Sequence, residues 1–187
     1  LKSRLVLGSV IQALHLDLNI SSTEDTLRNR LLNKPNYTTE YGPESVIFKD
    51  NNKTFAVKEF MIPSQFIDKS LLLNFKNNQF YFTNPKNDQI VFTGTINQQN
   101  HVANQHGSWK VGIATQDQLT STYTIHKKSL PAAVAAISSN YAVAERGKMT
   151  GILGLSYQGE DKEHITKVLN AILSAYSAQN VVRRSAE

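Results

Sequence analysis

The hydrophobic pattern of residues 149–187 predicts a buried strand followed by a long amphipathic helix. Residues 151–157 form an apolar run, and Gln158-Gly159 then marks a turn. In the segment that follows, apolar side chains recur at three- and four-residue spacing, which places them in one stripe of a helix. They are Ile165, Val168, Leu169, Ile172, Leu173 and Tyr176. The sequence stops at Glu187 without a Gly, Pro or Asn cap, so we expect the helix to continue beyond it.

A second helical pattern opens the chain over residues 1–16. Its apolar face consists of Leu7, Val10, Ile11 and Leu14. The alternation of apolar and polar residues over 16–20 then predicts a short extended segment. Ser21 and Glu24 have the spacing of a capping box, which predicts a short helix that ends near Pro35.

The middle of the chain alternates with the period of two that is typical of strands. We predict strands over residues 55–62, 71–75, 80–83, 90–96, 109–113 and 119–126. Asn77 and Asn78 predict a hairpin between two of these strands, because Asn tolerates positive φ. Residues 35–52 are predicted to form a loop with a brief strand at 46–48, and residues 97–108 an exposed loop.

The order of elements predicts an α+β fold with a mixed, largely antiparallel sheet. Pro131 suits the first turn of a short crossover helix, and residues 141–144 and 149–157 are typical of a strand pair. The N-terminal and C-terminal helices, together with the crossover helix, are predicted to cover the sheet. We find no internal repeat and no linker, so residues 1–187 are predicted to form a single domain.

Composition narrows the range of functions. The chain has a formal net charge of +5, but its Lys and Arg residues are scattered, which argues against a nucleic-acid surface. It has no cysteine, which excludes disulfides, thiolate nucleophiles and Cys-based metal sites. No apolar run approaches the roughly 18 residues of a membrane span.

The candidate catalytic and metal-ligating patterns are incomplete. Gly147-Lys148 resembles the end of a phosphate loop, but Ala142 and Met149 stand where that loop requires Gly and Ser or Thr. The histidines lack an HExxH-type pattern. His101, His106, His126 and His164 are interpreted as surface residues, and His15, at the end of a helix, as partly buried with a hydrogen-bonded ring. The acidic residues at 160–163 suit a helix N-terminus better than a catalytic pair. We therefore predict no catalytic residue, no metal ligand and no cofactor in this chain.

Aromatic residues leave one alternative open. Phe80 and Phe82 share one face of a strand and are predicted to fill the core, with Tyr81 facing outward. If Tyr37, Tyr41 and Tyr81 are exposed beside the Asn- and Gln-rich loops, they are compatible with sugar contact. A carbohydrate-binding module of an envelope or secreted protein is therefore an alternative function.

Two terminal segments resemble bacterial polysaccharide co-polymerases, the Wzz/Wzc-type chain-length determinants. The first is Leu1-Lys2-Ser3-Arg4-Leu5-Val6-Leu7 with its continuation to residue 18, and the second runs from residue 151 to residue 187. The likeness is greatest to the tyrosine-autokinase members of capsule and exopolysaccharide export. The positions that match the motifs, with a structural role in the family, are Ser3, Arg4, Gly151, Tyr157, Gly159, Asn170, Tyr176, Asn180 and Arg184.

The resemblance implies a non-catalytic periplasmic α/β base domain of an inner-membrane protein, truncated at both ends. Such a domain regulates the chain length and export of capsular or extracellular polysaccharide through homo-oligomerisation. The implied partners are further copies of the chain, the polysaccharide polymerase, the outer-membrane export channel and, as an open alternative, the polysaccharide itself. Membrane helices and a kinase domain of a tyrosine-autokinase parent are expected outside this chain.

Overall fold

The computed structural model describes residues 4–23, 37–145, 153–157, 170–172, 174 and 177. The chain divides into two compact units. Residues 17–129 form the strand unit, and residues 1–16 with 130–187 form the terminal unit. The single domain over 1–187 stays a prediction.

Along the chain, the described elements are one helix, ten strands, a second helix and a strand pair. They are α1 (Arg4–Leu14), β1 (Leu18–Ser22), β2 (Tyr37–Tyr41), β3 (Val46–Asp50), β4 (Lys53–Met61), a 3-10 turn (Ser64–Phe66), β5 (Ser70–Lys76), β6 (Gln79–Thr83), β7 (Ile90–Thr95), β8 (Gln99–Asn104), β9 (Gly107–Ala114), β10 (Tyr123–Lys127), α2 (Leu130–Asn140), β11 (Tyr141–Glu145) and β12 (Leu153–Tyr157).

The terminal unit has the predicted helices and strand pair. Helix α1 buries Leu7, Val10 and Ile11, which confirms its predicted apolar face. It packs on α2, where the small Gly8 faces the Leu130 side chain. Strands β11 and β12 pair antiparallel, as predicted. Residues 170–172, 174 and 177 are helical and Ile172 is fully buried, in agreement with the predicted stripe, whose other members lie outside the described residues.

The strand unit is a sandwich of two five-stranded sheets. The first has the strand order β1-β10-β5-β6-β7 and the second β2-β3-β4-β9-β8. Every pairing in these sheets is antiparallel, so the α+β class and the largely antiparallel pairing are confirmed, with the strands divided between two sheets instead of one.

The two sheets cover each other through an aromatic core. The Trp109 ring of the second sheet lies 4.9 Å from the Phe92 ring and 6.1 Å from the Phe82 ring of the first. At the other end of the sandwich, Phe48 contacts Tyr123 at 5.4 Å. Centroid distances of this size are favourable for aromatic pairs. The predicted core positions Phe80 and Phe82 are both fully buried.

Three sequence-based predictions in this unit are wrong. The loop predicted at 35–52 contains β2 in addition to the strand predicted at 46–48, which is β3, and the loop predicted at 97–108 contains β8. Strand β8 lacks an apolar alternation because nearly all of its side chains are exposed, and β2 is an edge strand without fully buried residues. Ser21 is not a helix cap, since it pairs with Thr124 between β1 and β10. The helix predicted after Glu24 lies outside the described residues.

Asparagine side chains connect the two sheets where β7 and β8 form neighbouring edges. The Asn100 amide accepts from the Thr95 N–H at 2.8 Å and donates to the carbonyl oxygens of Thr95 (3.0 Å) and Val111 (3.1 Å). Gly94 beside it has no room for a side chain, because a Cβ there would overlap the Phe80 ring. These hydrogen bonds of the Asn100 side chain pair backbone N–H and C=O groups that would be unpaired at a free sheet edge.

Candidate functional site

The strand unit contains a cleft of about 560 Å³ beside the start of β5. Its apolar lining consists of Phe66, Leu71, Pro85 and Val91. Its polar lining consists of Gln65, Lys69, Ser70, Asn84, Lys86, Gln89 and His106. A volume of this size is within the roughly 300–1,000 Å³ of small-molecule sites.

The 3-10 turn Ser64–Phe66 supplies one wall of the cleft. Phe66 is buried, with its ring 5.2 Å from Trp109 and 5.6 Å from His106. The Gln65 Nε2 donates to the His106 carbonyl at 3.3 Å. These contacts attach the turn to the aromatic core. The buried Phe66 side chain therefore gives the cleft a rigid apolar floor on this side.

The loop between β6 and β7 supplies the opposite wall. Asn84 Oδ1 accepts from the Lys86 N–H at 3.0 Å, and the Asn84 carbonyl accepts from the Asp88 N–H at 2.8 Å. The Asn84 N–H donates to the Gln89 carbonyl at 2.9 Å, which closes the loop. An Asn side chain that bonds the backbone two residues on is a common turn device. It fixes the backbone from which Lys86 and Gln89 extend.

The β8–β9 turn carries His106 and is held by Asn104. Asn104 Oδ1 accepts from the His106 N–H at 2.9 Å and from Trp109 Nε1 at 3.1 Å, and Asn104 Nδ2 donates to the Val91 carbonyl at 2.9 Å. Gly107 follows with φ +126°, and a Cβ there would lie 3.1 Å from the Pro63 Cβ. The turn therefore depends on Gly at this position.

The cleft is electropositive. None of the eleven lining residues is acidic. Lys69 and Lys86 have no carboxylate partner among the described residues, whereas three other basic side chains of this unit do. Asp68 precedes Lys69, but its Oδ1 accepts from the Ser129 N–H at 2.8 Å. This hydrogen bond, together with one to the Ser129 side chain and smaller contributions from the charges of His126 and Lys128, lowers the pKa of Asp68.

The histidines have the following environments. His101 Nε2 lies 3.0 Å from Glu59 Oε2 on the exposed face of the second sheet, and His126 Nδ1 lies 3.2 Å from Ser70 Oγ. Only His106 among them lines the cleft. In the part of the chain that the structure describes, no group of three or more His, Cys, Asp or Glu side chains could hold a metal ion.

The tyrosines do not form the exposed set that the carbohydrate alternative needs. Tyr37 and Tyr41 are half-buried and pack against the core, and the Tyr37 ring lies 5.1 Å from Phe48. Their inward orientation follows from the β2–β3 register, in which both oppose inward residues. Tyr81 alone faces away from the core, as predicted. The expectation of three exposed tyrosines is therefore wrong.

The family-motif residues all fall within the sequence ranges of the terminal unit. Arg4 is the first residue of α1, Tyr157 ends β12 opposite Tyr141, and Asn170 is helical and exposed. The remaining motif positions lie outside the described residues: they are Ser3, Gly151, Gly159, Tyr176, Asn180 and Arg184. Their roles stay predictions.

Sequence reasoning missed the cleft. Its lining comes from three segments, at 65–71, 84–91 and 106, which no local motif connects. The one available signal was the pair of Asn-rich polar segments at 84–89 and 97–108, whose side chains hold the turns around the cleft.

No helix of the described residues is long and apolar enough to cross a membrane. No family model matches the chain. Among solved structures, the flagellar hook junction protein FlgK from Burkholderia pseudomallei has a TM-score of 0.31 and 14% identity, covering 79% of this chain and 27% of that one. A likeness at that level carries no argument about the fold.

Curated relatives show which proteins the chain is similar to. The tyrosine-protein kinase ptk of Acinetobacter johnsonii is 57% identical over 187 residues, which is 100% of this chain and 26% of that protein. The tyrosine-protein kinase wzc of Salmonella typhimurium is 28% identical, over 100% of this chain and 24% of that protein. The tyrosine-protein kinase etk of Escherichia coli K12 is 38% identical over 55 residues, which is 29% of this chain and 8% of that protein. The chain spans about a quarter of the first two relatives and is similar, over its whole length, to a segment of Wzc-type bacterial tyrosine-protein kinases.

Proposed function

We propose that this chain is the non-catalytic periplasmic module of an inner-membrane polysaccharide co-polymerase. The module regulates the chain length and export of capsular or extracellular polysaccharide through homo-oligomerisation. The observation that carries this proposal is the 57% identity to a tyrosine-protein kinase over the whole chain, in a segment that is 26% of that protein. Tyrosine kinase activity then belongs to a part of the parent protein outside this chain.

The partition of residues between the two units supports a scaffolding role. The motif positions fall in the terminal unit, and the described ones include the exposed helical Asn170. An exposed polar motif residue is available for contacts between copies, whereas a buried one would serve packing. Partners of this module would be further copies of the chain, the polysaccharide polymerase and the outer-membrane export channel.

The first test removes residues 1–187 from the parent protein in its host. We expect the length distribution of the surface polysaccharide, measured by gel electrophoresis, to change or export to stop. Expression and membrane insertion of the shortened protein are verified by immunoblotting of membrane fractions. A polysaccharide of unchanged length and amount, with the shortened protein present, contradicts the proposal.

A point variant makes the same test without a deletion. The exposed Asn170 side chain is available for contacts between copies, so Asn170→Ala in the parent should shift the modal polymer length and weaken cross-linking between copies. Because its loss leaves the core intact, the effect would not arise from unfolding. Ser174→Ala is the matched control, since Ser174 is exposed on the same helical segment and is not a motif residue. Equal effects of the two variants would argue against a role of the motif.

A further inference from the structure

We propose that the cleft of the strand unit binds an acidic saccharide, with Lys69 and Lys86 contacting the carboxylate. Both side chains line the cleft, and no acidic residue lines it. Within the described residues both ammonium groups lack a carboxylate partner, so an incoming anion does not have to displace one. Two cations at one cleft raise the local concentration of an anionic ligand.

The amide side chains favour a hydroxyl-bearing ligand over a simple anion. Gln65 uses its Nε2 on the His106 carbonyl at 3.3 Å, which leaves its Oε1 as an acceptor. Gln89 uses its Oε1 on Asn87 Nδ2 at 3.5 Å, which leaves its Nε2 as a donor. A sugar hydroxyl both donates and accepts, so it suits a site that offers one group of each kind.

The floor of the cleft favours a ring with an apolar face. Phe66, Leu71 and Val91 are buried members of the core cluster, so the floor is apolar and fixed in place. A pyranose presents C–H groups on one face and hydroxyls at its edge, which matches an apolar floor with a polar rim. Sites of this kind, mostly apolar with a few placed polar groups, are the usual form of small-molecule sites.

The site is held in shape before any ligand binds. The Asn84 turn, the Asn104 hydrogen bonds and the Phe66–Trp109 contact fix three separate walls. Preorganisation of this kind lowers the entropy cost of binding. The choice of a saccharide among acidic ligands rests on the proposed function, since a co-polymerase module works beside a growing polysaccharide.

The test is calorimetric titration of the 187-residue chain with a hyaluronan tetrasaccharide, which carries glucuronate carboxylates. We expect binding that weakens with added salt, because exposed charges are screened beyond about 10 Å at 0.1 M. The variant Lys69→Ala/Lys86→Ala should weaken binding about tenfold, as two charge contacts from exposed lysines are lost. The carboxyl-reduced tetrasaccharide, which is neutral and of the same shape, should bind correspondingly weakly.

The matched control is Lys76→Ala/Lys110→Ala. Both of these lysines are exposed in the same unit and do not line the cleft. Each double variant removes two positive charges and so takes the formal net charge from +5 to +3. Binding that falls equally in both variants would show a general charge effect and overturn the proposal, as would an absence of binding.

Inorganic phosphate separates a sugar site from an anion site. Phosphate that binds as tightly as the tetrasaccharide and displaces it would overturn the saccharide assignment, and weak binding of phosphate supports it. These titrations are independent of polymer length in cells. A lack of saccharide binding would leave the results of the Asn170 and deletion tests unaffected. Conversely, if those cellular tests contradict the proposed function, the measured saccharide affinity is unchanged.

Discussion

The two units of this chain differ in which of the candidate functional residues they contain. The nine family-motif positions fall in the sequence ranges of the terminal unit, whereas all residues that line the cleft belong to the strand unit. The motif positions and the residues of the proposed saccharide site are therefore different sets. We expect substitutions in one set to leave the proposed role of the other unchanged.

Among the residues that the structure describes, the buried side chains of the two units also differ in kind. The terminal unit buries aliphatic side chains, among them Leu7, Ile11 and Ile137, and the strand unit buries a continuous aromatic cluster around Trp109. Trp109 is the only tryptophan of the chain. Its fluorescence reports the strand unit, while the described helices, all in the terminal unit, dominate the circular dichroism at 222 nm. Unfolding of the two units can therefore be followed separately.

The largest effect is expected from Phe82→Ala in the strand unit. Phe82 is fully buried and contacts four aromatic rings, at Phe60, Phe80, Phe92 and Trp109. Truncation of such a side chain costs about 3–5 kcal/mol of unfolding free energy, from lost transfer energy and a residual cavity. We expect the urea midpoint of the Trp109 fluorescence transition to fall accordingly.

Tyr81→Ala is the control for this substitution. Tyr81 is the neighbouring residue on β6 and faces away from the core, so its removal should have a much smaller effect. If the helical signal at 222 nm shifts with the fluorescence in Phe82→Ala, the two units unfold as one. That outcome would contradict their treatment as separable, whereas an unshifted helical transition would support it.

A smaller loss is expected from Asn100→Ala at the edges of the two sheets. Its amide satisfies both backbone groups of Thr95 and the Val111 carbonyl. Part-buried groups left without a partner cost about 1–3 kcal/mol. The measurement is again the fluorescence midpoint in urea. Asn52→Ala, at an exposed turn of the same unit, should leave the midpoint unchanged. Equal midpoints for the two variants would show that the Asn100 hydrogen bonds do not stabilise the unit.

The sequence predicts the inner faces of the sheets better than their edges. Phe80 and Phe82 alternate with polar residues because one face of β6 is buried, and that alternation is readable directly. Strand β8 shows no such signal, since it pairs through its backbone and through Asn100 and Asn104. In sequence, the Asn and Gln side chains of β8 resemble those of a polar loop. Contacts with strands distant in sequence determine that this segment is a strand.

The cleft was even less accessible to sequence reasoning. Lys69 and Lys86 are each ordinary exposed lysines by their local context, seventeen positions apart. They line the same cleft because β5 pairs with β6 and the loop after β6 returns the chain to it. By contrast, the α1 face and the β11–β12 pair depend on local periodicity alone, so they were predicted in type and position.

The smallest expected effect concerns the last residue of the strand unit. Ser129 donates its N–H to Asp68 Oδ1, and this bond lowers the pKa of Asp68 below its ordinary 3.8. A carboxylate with a depressed folded-state pKa stabilises the folded state above its unfolded-state pKa, and the contribution is lost as the pH falls through the depressed value. Asp68→Asn keeps an Oδ1 acceptor for the Ser129 N–H, removes the charge and replaces the second carboxylate oxygen with an NH2 group. We therefore expect a slightly lower fluorescence midpoint for the variant at neutral pH and a difference that vanishes in acid below the depressed pKa. Because the other carboxyl groups titrate alike in both proteins, the difference isolates Asp68. A difference that persists unchanged in acid would assign the effect to packing of the loop and not to the charge.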